Sequence, residues 1–398
     1  MRILMSSESY WPNNDGGAVF ERRLVHQLLA AGHQVAFVAP GQKWQAHTER
    51  DGDHDYIIYR TVSGPLPLNK DYKISYYAYS QALRAVKEFN PDIIHVHTMA
   101  LAGAALLRVA KKYHIPIVAT NHLMPENVLM SFPSVVMNSK FVAVRFWKTI
   151  VRFHNKFLAV SVPTESAAEP LRQYGLKRPL VAISNGVNVH YYHPATKKID
   201  PLLDRFDVPK NYFIYLGRVN AEKRIDMLIK SFALADVPGL DLVIAGTGNR
   251  SAALEKLASD LGILDRVHFV GRVTDDEKVA LYQHAEFYAI TSPAELQSIA
   301  ALEAAACGLP LLAVDIVALK ELCHDGKNGY LVELDDNQGC ANAIEKLHTD
   351  DTMRKKFGDY SRNLVVNFHS EEATLEQYLA FYELGIKEAK TPAGKRLV

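Results

Sequence analysis

The chain has 398 residues, 48% of them hydrophobic, with 45 basic residues against 44 acidic ones. That is enough chain for two or three domains with sizeable cores. The even charge balance excludes a global nucleic-acid footprint, so no nucleic-acid partner is expected. Cys307, Cys323 and Cys340 fall in no metal-ligand spacing and make no paired framework, which fits a reducing compartment.

In chain order, Met1 to Met5 runs directly into a strand, without the charged region, apolar core and cleavage site of a signal peptide. No apolar run is long enough to span a bilayer. The expectation is a soluble or peripheral, cytoplasmic protein. Ile3-Leu4-Met5 reads as a strand and Asp15-Gly16-Gly17 as a turn. Val19, Leu24, Leu28 and Leu29 predict a helix over 18–31 that Gly32 stops, and Gln34 to Ala39 predicts a second strand. Asp51-Gly52-Asp53 has the form of an Asp-x-Asp metal motif but sits in a polar turn and reads as a solvated loop. Asp92 to His97 and Ile115 to Thr120 read as strands around a helix from Ala100 to Lys112. His95 and His97 alternate on the first of these. With no further ligand in the pattern, they read as core or cleft residues and not as a metal site.

Residues 135–157 are unusual. No acid occurs between Glu126 and Glu165, while Lys140, Arg145, Lys148, Arg152 and Lys156 recur at helical steps. Val142, Phe146, Ile150, Phe153 and Phe157 mark a second, apolar stripe. A helix with one basic and one aromatic face suits an anionic membrane surface, and it equally suits a core helix with solvated lysines. Apolar residues of the preceding stretch, Val128, Leu129, Met130 and Phe132, fit a lipid acceptor.

The alternation restarts after residue 185. Strands are expected at Tyr212–Leu216, Leu240–Ala245, 267–270, 287–290 and Leu311–Val314, with helices at 224–235, 251–261, 275–283 and 299–306. Strands alternating with helices imply a parallel sheet covered on both faces. The fold class is α/β, with two doubly wound, Rossmann-like domains. The expected division is 1–188 and 189–376, with a last helix at about 377–398 packing back on the first domain. Thr391 to Val398 reads as a frayed basic tail.

Four segments of the second half converge on a phosphate-bearing ligand. Gly217 to Arg224 follows a strand, and there Arg218 and Lys223 can neutralise a diphosphate. Ala245-Gly246-Thr247-Gly248 and Gly271-Arg272-Val273 are further turns at strand ends. Glu295 and Glu303 lie eight residues apart, and between them Leu296, Gln297, Ser298 and Ile299 form the start of a helix whose amides can meet phosphate. Small or apolar residues surround Glu303, so its helix is predicted to be buried, and a buried acid requires a partner or ligand.

Gly217 to Arg224, Glu295 to Cys307 and Gly308-Leu309-Pro310 together resemble family 4 of the retaining glycosyltransferases, which have the GT-B fold of two such domains facing across a cleft. The resemblance covers nearly the whole chain. It implies that Arg218 and Lys223 hold the diphosphate of a nucleotide-sugar donor, that Glu303 binds the ribose, and that Glu295 lies by the transferred sugar. It further places Arg272 and Val273 near the base, Gly16 and Gly17 in the glycine loop by the donor phosphates, and His122, after Thr120-Asn121, beside the sugar. His97 is a possible cleft residue. The family often has Gly-Phe-Gly after its first glutamate, and Leu296-Gln297-Ser298 departs from it. The family's chemistry needs no metal or other cofactor beyond the donor substrate.

Within the family the chain is most similar to bacterial diacylglycerol glucosyltransferases and lipid mannosyltransferases. That implies transfer of a hexose, from UDP-glucose by preference, to a membrane lipid at the inner face of the cell membrane. A GDP-mannose donor, a soluble sugar acceptor, a nucleotide-sugar epimerase and a non-catalytic nucleotide-sugar binder remain as alternatives. A nicotinamide dehydrogenase is disfavoured, because no GxGxxG follows the first strand.

Overall fold

The computed structural model describes residues 1–11, 16–41, 45–51, 54–66, 69–125, 140–195, 201–206 and 208–398. Its contacts divide the chain into two compact units, Met1–Asn185 with Thr374–Val398, and Gly186–Ala373.

The first unit carries strands β1 (Arg2–Ser6), β2 (Gln34–Gly41), β3 (Gln45–Asp51), β4 (His54–Leu66), β5 (Asn69–Ser75), β6 (Ile93–Val96), β7 (Ile117–Thr120), β8 (Val160–Val162) and β9 (Leu180–Ala182). Their order is β3-β4-β2-β1-β6-β7-β8-β9, with β5 paired to β4. From β2 through β9 every neighbouring pair is parallel. Ile3, Leu4 and Met5 in β1 are fully buried, because helices cover both faces of a parallel sheet. The strands β3 to β5 are a departure from the sequence reading. β3 and β5 both run antiparallel to β4, and Asp51 pairs with His54 across the turn read as a solvated loop. Gly52 and Asp53 of that turn lie outside the described residues.

The second unit holds β10 (Tyr212–Leu216), β11 (Asp241–Ala245), β12 (Val267–Gly271), β13 (Tyr288–Ile290), β14 (Leu311–Val314) and β15 (Gly329–Val332). Their order is β12-β11-β10-β13-β14-β15, all parallel. The order reverses between β10, β11 and β13, and ligands of open α/β sheets gather outside the carboxyl ends at such a reversal.

The long helix Glu371–Ala389 begins in the second unit and continues in the first. There Tyr378, Phe381 and Tyr382 are buried, and the Tyr382 hydroxyl lies 3.0 Å from His95 Nδ1. Gly385 makes this approach possible, since a Cβ there would come within 2.5 Å of Val118 Cγ1 on β7. The tail does not fray. Gly394–Arg396 forms a 3-10 turn, Thr391 Oγ1 accepts from Gly394 N at 3.0 Å, and Val398 packs against the first unit's core. The apolar end residue finds a surface to cover, and periodicity over eight residues could not show that.

Candidate active site

In the second unit the segment after β10 is built to expose cations at the strand's carboxyl end. Gly217 and Gly246 both take positive φ, and the turns are stitched together by Gly217 N to Ala245 O (3.0 Å), Gly246 N to Gly271 O (2.7 Å) and Val219 N to Thr247 O (3.0 Å). A Cβ on Gly246 would sit 1.8 Å from the Gly217 carbonyl oxygen, so only glycine lets these two strand ends touch. Ala221–Lys223 is a short 3-10 turn and Arg224 is left-handed at φ 49, so the following helix starts one residue later than the pattern indicates, at Ile225. The Thr291 hydroxyl pins this turn by donating to the carbonyls of Lys223 (3.1 Å) and Arg224 (2.9 Å).

That turn delivers Lys223 onto Glu295. Their Nζ and Oε1 atoms are 2.6 Å apart, and the side chains are only 15% and 11% exposed. Arg218 differs. It is 61% exposed, with a loose 3.5 Å contact to Glu222, and the Tyr215 hydroxyl donates to its carbonyl at 2.8 Å. Arg224 is held by Asp226 at 3.3 Å and by Asp335. Of the three cations, Arg218 is the one whose charge is least compensated by a close carboxylate.

Ser298 is the N-cap of helix Ile299–Ala306, accepting from Ala301 N at 3.2 Å, as a serine at that position should. Leu296 and Gln297 precede it, half-buried. Ala301 through Ala306 are all buried, Glu303 among them at 2% exposure. The sequence pattern contains no hint of one cation near this acid. Lys278 Nζ stands 3.5 Å from Glu303 Oε2 and 3.1 Å from the Tyr192 hydroxyl. Lys278 lies on helix Asp275–His284, whose capping box of Thr274 and Glu277 fixes its start just beyond Arg272 and Val273. Arg272 is exposed, its carbonyl receives Arg205 at 3.3 Å, and Val273 packs on the core. Cys307, at the end of the Glu303 helix, is buried, and burial pushes its thiol far up, so it is inert as a nucleophile.

The first unit contributes a different cluster. Gly16 and Gly17 open helix Gly16–Ala30, while Asn14 and Asp15 lie outside the described residues. His122 follows β7 by two residues, with its ring 5.0 Å from Phe20 and 5.7 Å from His97. His97 Nδ1 is 3.4 Å from His122 Nε2. His95 is fixed between Tyr382 and Thr120, whose Oγ1 lies 2.7 Å from its Nε2. Burial drives both His95 and His97 well below the usual histidine range, so both are neutral. The sequence pattern showed no further ligand for these histidines. The fold supplies two for His97, since Glu21 and His122 each bring a ligand atom within 4.8 Å of it and of each other.

The basic segment is a helix from Lys140 to His154. Arg145, Lys148, Arg152 and Lys156 are exposed, as is Phe141. Trp147, Ile150, Val151, His154 and Phe157 are buried, and Phe153 packs against the core. Most of the apolar stripe is therefore covered by the unit, with Val142 and Phe146 half-buried, and the basic face is open. Residues 126–139, including the apolar stretch at 128–132, lie outside the described residues. Among the described residues no helix is long and apolar enough to cross a membrane.

Two family models match, "Glycosyltransferase Family 4" over residues 14–191 and "Glycosyl transferases group 1" over 204–364. The chain is 27% identical to the alpha-monoglucosyldiacylglycerol synthase of Streptococcus pneumoniae, over 83% of this chain and 75% of that protein. It is 24% identical to a GDP-mannose-dependent alpha-mannosyltransferase of Corynebacterium glutamicum, over 89% of this chain and 82% of the other. Among solved structures, HepE of Anabaena in complex with UDP-glucose superimposes with a TM-score of 0.73 at 18% identity, covering 96% of this chain and 99% of that one. The fold is GT-B.

Proposed function

Because the chain belongs to glycosyltransferase family 4, we propose that it transfers a hexose from a nucleoside-diphosphate sugar to a membrane lipid with retention of anomeric configuration. UDP-glucose and diacylglycerol are the favoured pair. The observation that carries this reading is the Lys223–Glu295 contact beside an open Arg218, with Glu303 buried eight residues on. Two cations suit a diphosphate, a carboxylate suits the hydroxyls of a sugar, and a buried carboxylate suits the paired hydroxyls of a ribose; this segment offers all three.

Arg218 and Lys223 are assigned to the diphosphate, Glu303 to the ribose, and Glu295 and His122 to the transferred sugar. Arg272 and Val273 are assigned to the base side, Gly16, Gly17 and Gly217 to the phosphates, and Gln297, Ser298 and Ile299 to the phosphate and sugar. In the reaction the acceptor hydroxyl attacks the anomeric carbon on the face the phosphate leaves. The C–O bond to phosphate breaks with its electron pair, and the departing phosphate oxygen takes the acceptor's proton. Charge grows on the diphosphate, so Arg218 and Lys223 stabilise the transition state more than the ground state. Lys223 gains a second role, because its charge is shared between Glu295 and the incoming phosphate. No step requires a metal ion.

The lipid acceptor is supported by the likeness to the monoglucosyldiacylglycerol synthase and by the open basic face of helix Lys140–His154, which is suited to the anionic inner leaflet of the cell membrane. The likeness to a GDP-mannose-dependent enzyme supports a second donor. A panel of UDP-glucose and GDP-mannose against diacylglycerol and soluble glycosides decides between them. Turnover of UDP-glucose onto lipid with an α-linked product is expected, and an inverted anomer or no turnover with any lipid would refute the assignment.

A further inference from the structure

We propose that Glu21, His97 and His122 form a binding site for one divalent cation of the zinc class. Three elements far apart in the chain bring them together: helix Gly16–Ala30, the end of β6 and the end of β7. One ligand atom from each lies within 4.8 Å of the other two. Two imidazoles and a carboxylate form the donor set of open zinc sites, which leave a fourth position for water.

Three observations fit an ion at this cluster. The 3.4 Å between His97 Nδ1 and His122 Nε2 is long for a hydrogen bond. It matches the roughly 3.3 Å that separates two nitrogens held at about 2.0–2.1 Å on a tetrahedral ion. His97 is 2% exposed, so an ion on its Nδ1 would be shielded from solvent on that side. Glu21 is 1% exposed, and a carboxylate is one of the donors an open zinc site uses.

The surroundings suit the ion. The ring of His97 is backed by His95 at 3.9 Å, itself held by Tyr382 and Thr120. Phe20 closes one side, 5.8 Å from His97. His122 is only half-buried and gives the ion a way in. With the two nitrogens already near ion-bound spacing, closing the site asks the Glu21 carboxylate to approach by at most about 1.5 Å. The site shares no residue with the proposed diphosphate group, so it is not a metal requirement of transfer. Occupancy withdraws His122 and slows transfer; that consequence rests on the role proposed for His122, and the binding itself does not.

The test uses the full chain after chelator treatment, titrated with cobalt(II) and zinc(II) by visible absorption and calorimetry. One cobalt per chain with tetrahedral d–d bands is expected, bound at least ten-fold more weakly by Glu21→Gln and by His97→Gln. Circular dichroism checks that both variants fold. Cobalt binding that is absent, or equal in the parent and both variants, overturns the site. If binding follows the prediction but zinc leaves transfer unchanged, the site stands and the role of His122 falls.

Discussion

Replacing Lys223 by Met separates two jobs that the same ammonium performs. At 2.6 Å and an effective dielectric of about 20, its attraction to Glu295 is roughly 6 kcal/mol before the cost of drying both groups. With both side chains more than four-fifths covered, removing the cation leaves a carboxylate with its close counter-charge gone, at a cost of about 3 kcal/mol to the second unit. With a urea slope of about 2–3 kcal/mol per molar, that unit's midpoint falls by about 1 M. Lys223→Met with Glu295→Gln removes both charges and recovers most of that loss. Transfer follows a different course, dropping about 100-fold in the single variant and staying down in the double one, because the diphosphate has lost its cation. Urea unfolding read by far-UV circular dichroism reports the loss. Tryptophan fluorescence serves as the control, since Trp11, Trp44 and Trp147 all belong to the first unit's stretch of chain. A single variant destabilised by less than 1 kcal/mol, or a double variant that regains transfer, refutes the reasoning.

Glu303→Gln keeps the shape of a buried side chain but removes the charge facing Lys278; the donor KM is expected to rise at least ten-fold in initial-rate assays, and an unchanged KM would remove Glu303 from the donor site. Gly246→Ala drives a Cβ into the Gly217 carbonyl, so the second unit should lose more than 2 kcal/mol in urea unfolding, since the two turns must part. Charge reversal at Arg145, Lys148 and Arg152 removes about 1 kcal/mol of attraction per site; co-sedimentation with anionic vesicles should fall steeply at low salt, and unchanged binding would make the helix purely structural. His154 is 2% exposed and burial holds it at about 4. The unfolded chain therefore takes up a proton below about pH 6.5 that the folded unit refuses, so stability is whole above that pH and lost as pH falls toward 4. By pH 5 His154 alone should weaken the first unit by about 2 kcal/mol, in addition to what His95 and His97 contribute, and His154→Gln should remove that share and leave theirs.

Some of this was legible in the residues and some was not. A parallel sheet buries both faces of each strand, so β1, β10 and β14 stand out as short apolar runs between helices, and the doubly wound plan follows from local pattern alone. The pair Glu295 and Glu303 was legible for a related reason, because small residues on every side announce a buried helix, and an acid on it is conspicuous. The antiparallel strands β3 to β5 were not, since polar, Gly- and Pro-bearing segments of that kind gain their strand character from pairing with β4.

The sequence by itself determined the fold class, the cationic turn after β10 and the buried acid, because each depends on neighbours within a dozen residues. The tertiary structure alone decided which charges meet. Lys223 reaches Glu295 across 72 positions and Lys278 reaches Glu303 across 25. Glu21 stands by His97 and His122 only because β6 and β7 lie side by side and the Gly16–Ala30 helix carries Glu21 to their ends. The aromatic stripe of the basic helix was visible in one dimension, but whether it faced lipid or core depended on the rest of the first unit, which covers most of it. Periodicity records that a side chain needs an apolar or charged partner; the packing of distant segments decides which partner it gets.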